Sequence, residues 1–87
     1  MKYEYTNAFI KDVKKTSPEI QSQIKNLIEE INAVDRLGDL PNVKKMKGFS
    51  NAFRIRLGEY RVGVFWENDK LVLARMLHRR EVYRYFP

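Results

Sequence analysis

Arg54, Arg56 and Arg61 are the side chains of this sequence whose type and spacing point most directly to chemistry. In Ala52-Phe53-Arg54-Ile55-Arg56-Leu57 the apolar Phe53, Ile55 and Leu57 alternate with the two arginines, as on a half-buried strand. Gly58-Glu59 follows, and a two-residue connection with Gly first suits a type II′ hairpin turn. Such a turn sets the register of the next strand, Tyr60-Arg61-Val62-Gly63-Val64-Phe65-Trp66. Leu57 then faces Tyr60, Arg56 faces Arg61, Ile55 faces Val62, and Arg54 faces Gly63. Directly opposed residues point to one side of a sheet. Ile55, Leu57, Val62 and Val64 are therefore expected to form the core face, with the three arginines on the other face and Gly63 leaving open backbone beside Arg54. Like charges placed opposite one another cost roughly 0.2–1 kcal/mol. An anion lying across the guanidiniums relieves that repulsion, and the forked donors of arginine match phosphate geometry.

The end of the chain, His78-Arg79-Arg80-Glu81-Val82-Tyr83-Arg84-Tyr85-Phe86-Pro87, interleaves basic and aromatic residues. Cations that pair with phosphates and rings that stack on bases are the two parts of single-stranded nucleic-acid recognition. Val82 and Phe86 also stand at helical spacing, so the same segment is expected to dock as a C-terminal turn that closes the core.

Charge placement agrees with this reading. The net charge is +6, but residues 1–43 hold six basic and seven acidic side chains, whereas residues 44–87 hold eleven and four. A basic half on a small domain is the footprint of a polyanion partner, nucleic acid first among them. With no cysteine, a disulfide scaffold, a thiolate metal site and a cysteine nucleophile are excluded, and one histidine builds no metal centre by itself. No metal and no cofactor are expected. The opening Met-Lys-Tyr-Glu-Tyr lacks a signal-peptide core and no apolar run is long enough to span a bilayer, so a cytoplasmic protein without membrane contact is expected.

The elements that must position these residues are legible from periodicity. Residues 1–87 are expected to form one domain, because a chain this short buries too little surface to divide its core. Met1–Tyr5 reads as a short strand, and Phe9, Ile10 and Val13 fall on one face of a helical turn. Ser17 as N-cap and Pro18 in the first helical position start a second helix. Ile20, Ile24, Leu27, Ile28 and Ile31 carry its apolar stripe to about Ala33. Asp35–Pro41 reads as loop. After the arginine hairpin, a turn at Asn68-Asp69 leads into Leu71–Leu77, whose apolar residues on both faces mark a central strand. The expected fold is α+β, with two N-terminal helices on one face of a mostly antiparallel sheet of about four strands.

Lys47-Gly48, Phe53-Arg54-Ile55-Arg56-Leu57, Tyr60-Arg61-Val62 and His78-Arg79-Arg80-Glu81-Val82-Tyr83 together resemble the RelE/ParE toxin superfamily, over nearly the whole chain. The ending is more similar to RelE than to ParE. The resemblance implies a toxin of a type II toxin-antitoxin pair that cleaves messenger RNA in the ribosomal A site and is silenced by a cognate RelB-like antitoxin. It further implies that Arg54 and Arg56 stand where RelE has two catalytic lysines, and that Arg61 and Arg79 match two of its arginines. Tyr83 matches the tyrosine that stacks on the substrate base. Between Arg79 and Tyr83 the segment is two residues shorter here, which leaves Arg79 or Arg80 for the second arginine. Lys44, Lys45, Lys47, Arg80 and Arg84 are the expected further contacts to RNA, including 16S rRNA.

RelE-like cleavage requires a 2′-hydroxyl to lose its proton, attack the adjacent phosphorus and expel a 5′-oxygen that must gain one. Arginine holds its proton to a pKa above about 12, so Arg54 and Arg56 are clamps for transition-state charge and poor bases. His78 is the one side chain whose ordinary pKa of about 6.5 suits both transfers, and related toxins use a histidine near this position. It is expected as general base or acid, or else as a strand-end residue bonded to backbone. Glu59 and Glu81 are the alternative bases. The competing function is that of a ParE-like inhibitor of DNA gyrase with no nuclease activity, or a decayed toxin that binds only its antitoxin.

Overall fold

The computed structural model describes residues 1–87. A five-stranded sheet has the order β1-β5-β4-β3-β2, with β1 (Tyr3–Tyr5), β2 (Val43–Lys45), β3 (Ala52–Leu57), β4 (Tyr60–Glu67) and β5 (Lys70–His78). Only β1 runs parallel to its neighbour β5; the other pairs are antiparallel. Two helices, α1 (Asn7–Lys14) and α2 (Pro18–Ala33), separate β1 from the rest, and α3 (Val82–Tyr85) ends the chain. The expected elements are present, with one strand more. β2 is three residues long and two of them are lysines, too short to show a period of two, and it pairs as an edge strand beside β3.

Local chemistry sets the boundaries. Thr6 caps α1 by accepting the Phe9 N–H at 3.1 Å, and its hydroxyl donates to the Ala74 carbonyl at 2.8 Å, which ties the helix start to β5. Ser17 accepts from the Ile20 N–H with Pro18 in the first turn, as expected of the start of α2. Gly58 has φ +60° with Glu59 outside the left-handed region, the pattern of a type II′ turn. Asn68 and Asp69 both lie in the left-handed region, at φ 53° and 59°, the pattern of type I′.

The main core lies between the sheet and α1/α2. Phe9, Ile24, Leu27 and Ile31 pack on Ile55, Val62, Val64, Leu71, Leu73 and Met76, all buried. Burying one such side chain contributes roughly 1.5–3 kcal/mol. The sheet's other face carries a second, smaller cluster: Val82 and Phe86 from the C-terminal turn against Met46, Ala52 and Ala74. Helices therefore cover both faces, α1 and α2 one of them, α3 part of the other. The expectation of open backbone at Gly63 is corrected here. A Cβ at Gly63 would stand 2.6 Å from atoms of the Phe86 ring, so the missing side chain is the space the ring fills.

β1 ends opposite Leu73, and α1 covers the edge of β5 beyond it. The Asp12 carboxylate accepts from the Met76 N–H at 2.9 Å and from Arg75 Nε at 2.8 Å, so an edge amide and a mid-strand guanidinium share one acceptor. That hydrogen bond pushes the Arg75 pKa further up. No helix is long and apolar enough to cross a membrane.

Candidate nucleic-acid interface

The β3–β4 register is the one the two-residue turn dictates: Leu57 opposite Tyr60, Arg56 opposite Arg61, Ile55 opposite Val62 and Arg54 opposite Gly63. Lys44 of β2 lies opposite Arg54 and adds a fourth cation to the same face. Arg79 follows β5, its N–H donating to the Glu59 carbonyl at 2.8 Å, and its Nε stands 2.7 Å from Glu59 Oε2. One Arg61 terminal nitrogen donates to the carbonyls of Gly58 and Tyr60, both at 2.8 Å. The Gly58–Tyr60 turn thus holds two guanidiniums, one through carbonyls and one through a carboxylate. Burial, then the charges of Arg54, Arg56 and Arg79, push the Arg61 pKa down from its ordinary value. Arg61 remains a cation at neutral pH, in a field of like charge.

Tyr83 reaches this face because the C-terminal turn is pinned beside it. Phe86 fills the space above Gly63 and Val82 is fully buried, so α3 lies next to Arg54, and the Arg54 guanidinium carbon sits 5.8 Å from the Tyr83 ring centroid. Tyr83 is 66% exposed, which leaves its ring accessible for stacking. Arg54, Arg56, Arg61, Arg79 and Tyr83 are brought together as the sequence led one to expect.

Other expected residues lie elsewhere. His78 is paired with Tyr60, which shares its face with Leu57 and Val62, the helix-covered face of the sheet. Its ring meets Tyr60 edge-on at 5.9 Å and lines a cleft with Asp12, Lys15, Thr16, Glu81 and Tyr85. The structure does not bring His78 to the arginines, and the reason is one residue. From the Asn68-Asp69 turn the ladder runs Glu67–Lys70, Trp66–Leu71, Phe65–Val72, Val64–Leu73; an unbroken ladder would then set His78 opposite Glu59. A bulge at Gly63/Val64 leaves Ala74 unpaired, and the one-residue slip turns His78 to the other face and Arg79 to the arginine face. His78 Nδ1 accepts from the Arg80 N–H at 3.2 Å. Of Arg79 and Arg80, both exposed, Arg79 is the one whose charge acts on Arg61. Lys45 pairs with Phe53 and shares that residue's core-side face. Lys47 sits in a tight Met46–Phe49 turn with Gly48 at φ +86°, and Arg84 lies over the Tyr85 ring at 5.9 Å, beside the His78 cleft. No group of three His, Asp or Glu side chains is placed to hold a metal ion.

With this geometry in view, the comparisons with known proteins are specific. The family model described as "ParE toxin of type II toxin-antitoxin system, parDE" matches residues 3–83. The chain belongs to the RelE/ParE family of toxins. The toxin is 41% identical to Toxin RelE3 of Methanocaldococcus jannaschii, with both chains covered in full. Its fold superimposes with a TM-score of 0.80 on the crystal structure of a RelB-RelE antitoxin-toxin complex from Methanococcus jannaschii, at 39% identity over 95% of this chain and 98% of that one. A RelE-RelB complex from Pyrococcus horikoshii OT3 gives a TM-score of 0.71 at 16% identity over 90% and 93% of the two chains, a likeness of fold. The family model carries the ParE name, whereas these similar proteins carry the RelE name.

Three features of the toxin's structure went unread in the sequence: the Asp12–Arg75 pair, the Phe86–Gly63 contact and the Glu59–Arg79 pair. Two had signals. Arg75 interrupts an apolar strand and so needs a buried acceptor, and a glycine inside a strand marks the close approach of another group.

Proposed function

We propose that this toxin is a ribosome-dependent endoribonuclease that cuts messenger RNA in the A site through attack of a 2′-hydroxyl on the adjacent phosphate. The observation that carries the reading is the convergence of Arg54, Arg56, Arg61 and Arg79 on one sheet face with an exposed Tyr83 at its border. Four guanidiniums supply donors for a phosphate whose charge grows in the transition state, and Arg61 and Arg79 already stand at the Gly58–Tyr60 turn beside it. Tyr83 stacks on a base and sets the position of the phosphate relative to the arginines. Lys44, Lys47, Arg80 and Arg84 are exposed and carry the contacts to flanking RNA and to 16S rRNA. The partner that silences the toxin is a RelB-like antitoxin, a reading supported by the likeness to the toxin of a RelB-RelE antitoxin-toxin complex.

The ParE name of the matching family model favours a second reading, inhibition of DNA gyrase. Induction of the toxin in cells, with transcript 5′ ends mapped at nucleotide resolution, separates the two. The endonuclease reading predicts in-frame cuts within codons that vanish in Arg61→Ala. DNA damage with intact transcripts would contradict it and support the second.

A further inference from the structure

The arginine face has ample means to hold a phosphate, and it needs a group able to accept the proton of the attacking hydroxyl. Arg54, Arg56, Arg61 and Arg79 cannot serve, because a guanidinium keeps its proton at any physiological pH. The other polar groups on this face, Lys44 and Tyr83, are by type an ammonium donor and a phenol. His78 and Glu81 border the cleft on the opposite side of the sheet. One carboxylate remains. We propose that Glu59 is the general base of the cleavage step, an inference that rests on the endonuclease reading above.

The geometry argues for it in three ways. Glu59 is fixed by its turn, with Gly58 at φ +60° and its own carbonyl accepting the Arg79 N–H at 2.8 Å. Its Oε2 is 2.7 Å from Arg79 Nε, so the carboxylate occupies one edge of a guanidinium whose terminal nitrogens stay available to a phosphate oxygen. A 2′-hydroxyl adjoins the 3′-phosphate of its own nucleotide, and a phosphate bound by Arg79 therefore brings that hydroxyl toward the carboxylate. Lastly, the pair is open, with Arg79 half exposed and Glu59 more so. An exposed ion pair is held loosely, which leaves the carboxylate free to exchange a guanidinium proton donor for a hydroxyl.

The 2′-oxygen gives its proton to the Glu59 carboxylate as it bonds to phosphorus, and the bond from phosphorus to the 5′-oxygen breaks. The departing oxygen takes a proton from water, and protonated Glu59 returns its proton to the hydroxide so formed. The products are a 2′,3′-cyclic phosphate and a 5′-hydroxyl.

Single-turnover cleavage on ribosomes programmed with a defined messenger RNA tests the assignment, with Glu59→Gln and Glu59→Asp compared with the unmutated toxin across pH. Glu59→Gln is expected to lower the rate constant about 10²- to 10⁴-fold, the usual worth of a general base. It should also flatten the acid limb of the pH–rate profile and leave affinity for ribosomes carrying a non-cleavable 2′-deoxy message within about threefold. Glu59→Asp should retain part of the rate together with the acid limb. A Glu59→Gln rate and pH profile equal to the unmutated toxin's would overturn the assignment while leaving the endonuclease reading intact. Lost affinity with an unchanged rate at saturation would also overturn it, reducing Glu59 to a positioning residue for Arg79. No cleavage by the unmutated toxin would overturn both.

Discussion

Arg56→Gln should make the fold more stable and the toxin less able to bind a polyanion, an opposition that follows from Arg56 facing Arg61 directly across β3 and β4. The replacement keeps a long polar side chain at an exposed position and removes one of the charges that weaken the Arg61 cation. A cross-strand like-charge pair costs roughly 0.2–1 kcal/mol, and exposure of Arg56 argues for the lower half of that range. For a domain of this size about 0.5 kcal/mol raises Tm by roughly 2–4 °C. Screening sharpens the test, since the Debye length shrinks from about 10 Å in 0.1 M salt to about 3 Å in 1 M. The gain should therefore be clear in thermal melts at low salt and nearly absent in 1 M sodium chloride. A polyanion such as tripolyphosphate should raise the Tm of the unmutated toxin, with roughly 1.4 kcal/mol gained at ten times Kd, and raise that of Arg56→Gln by less. Loss of one charged hydrogen bond to phosphate, about 1.5–3 kcal/mol, corresponds to a fall of roughly 10- to 150-fold in RNA affinity or cleavage. An Arg56→Gln variant that is less stable at low salt, or whose stability gain persists unchanged in 1 M salt, would refute the claim that this face is a charge cluster awaiting an anion.

Two further outcomes follow from the same geometry. Gly63→Ala places a Cβ 2.6 Å from the Phe86 ring and must displace the C-terminal turn, so it should cost about 1–3 kcal/mol in urea denaturation and reduce cleavage by unseating Tyr83. His78→Ala should keep the cleavage rate within about threefold of the unmutated toxin in a single-turnover assay, because the bulge turns that ring away from the arginines; a loss of two orders of magnitude would return His78 to the chemistry.

Much of this architecture could be read from spacing. Gly58-Glu59 fixed the pairs from Leu57–Tyr60 to Arg54–Gly63 because a two-residue turn leaves one register, and the arginine cluster followed from that register with no tertiary information. Ser17-Pro18 and the isoleucine stripe marked α2 for equally local reasons. What stayed hidden depends on contacts between distant residues. Asp12 meets Arg75 across 63 positions, and Phe86 meets Gly63 only after β5 and α3 have carried the chain back. The bulge at Gly63/Val64 is the most consequential of these, because one unpaired residue, Ala74, decides on which face His78 and Arg79 stand. No period of two reveals a bulge inside a strand apolar on both faces. β2 escaped for the opposite reason, having too few residues to show any period.

Cleavage on the arginine face, as proposed, uses the RNA's own 2′-hydroxyl. The most direct measurement is cleavage, by purified toxin, of ribosome-bound messenger RNA carrying a single 2′-deoxy nucleotide on the 5′ side of the scissile phosphate. The all-ribose message should be cut in the A-site codon to leave a 2′,3′-cyclic phosphate and a 5′-hydroxyl, and the single deoxy substitution should abolish the cut. Equal cutting of both messages would contradict it.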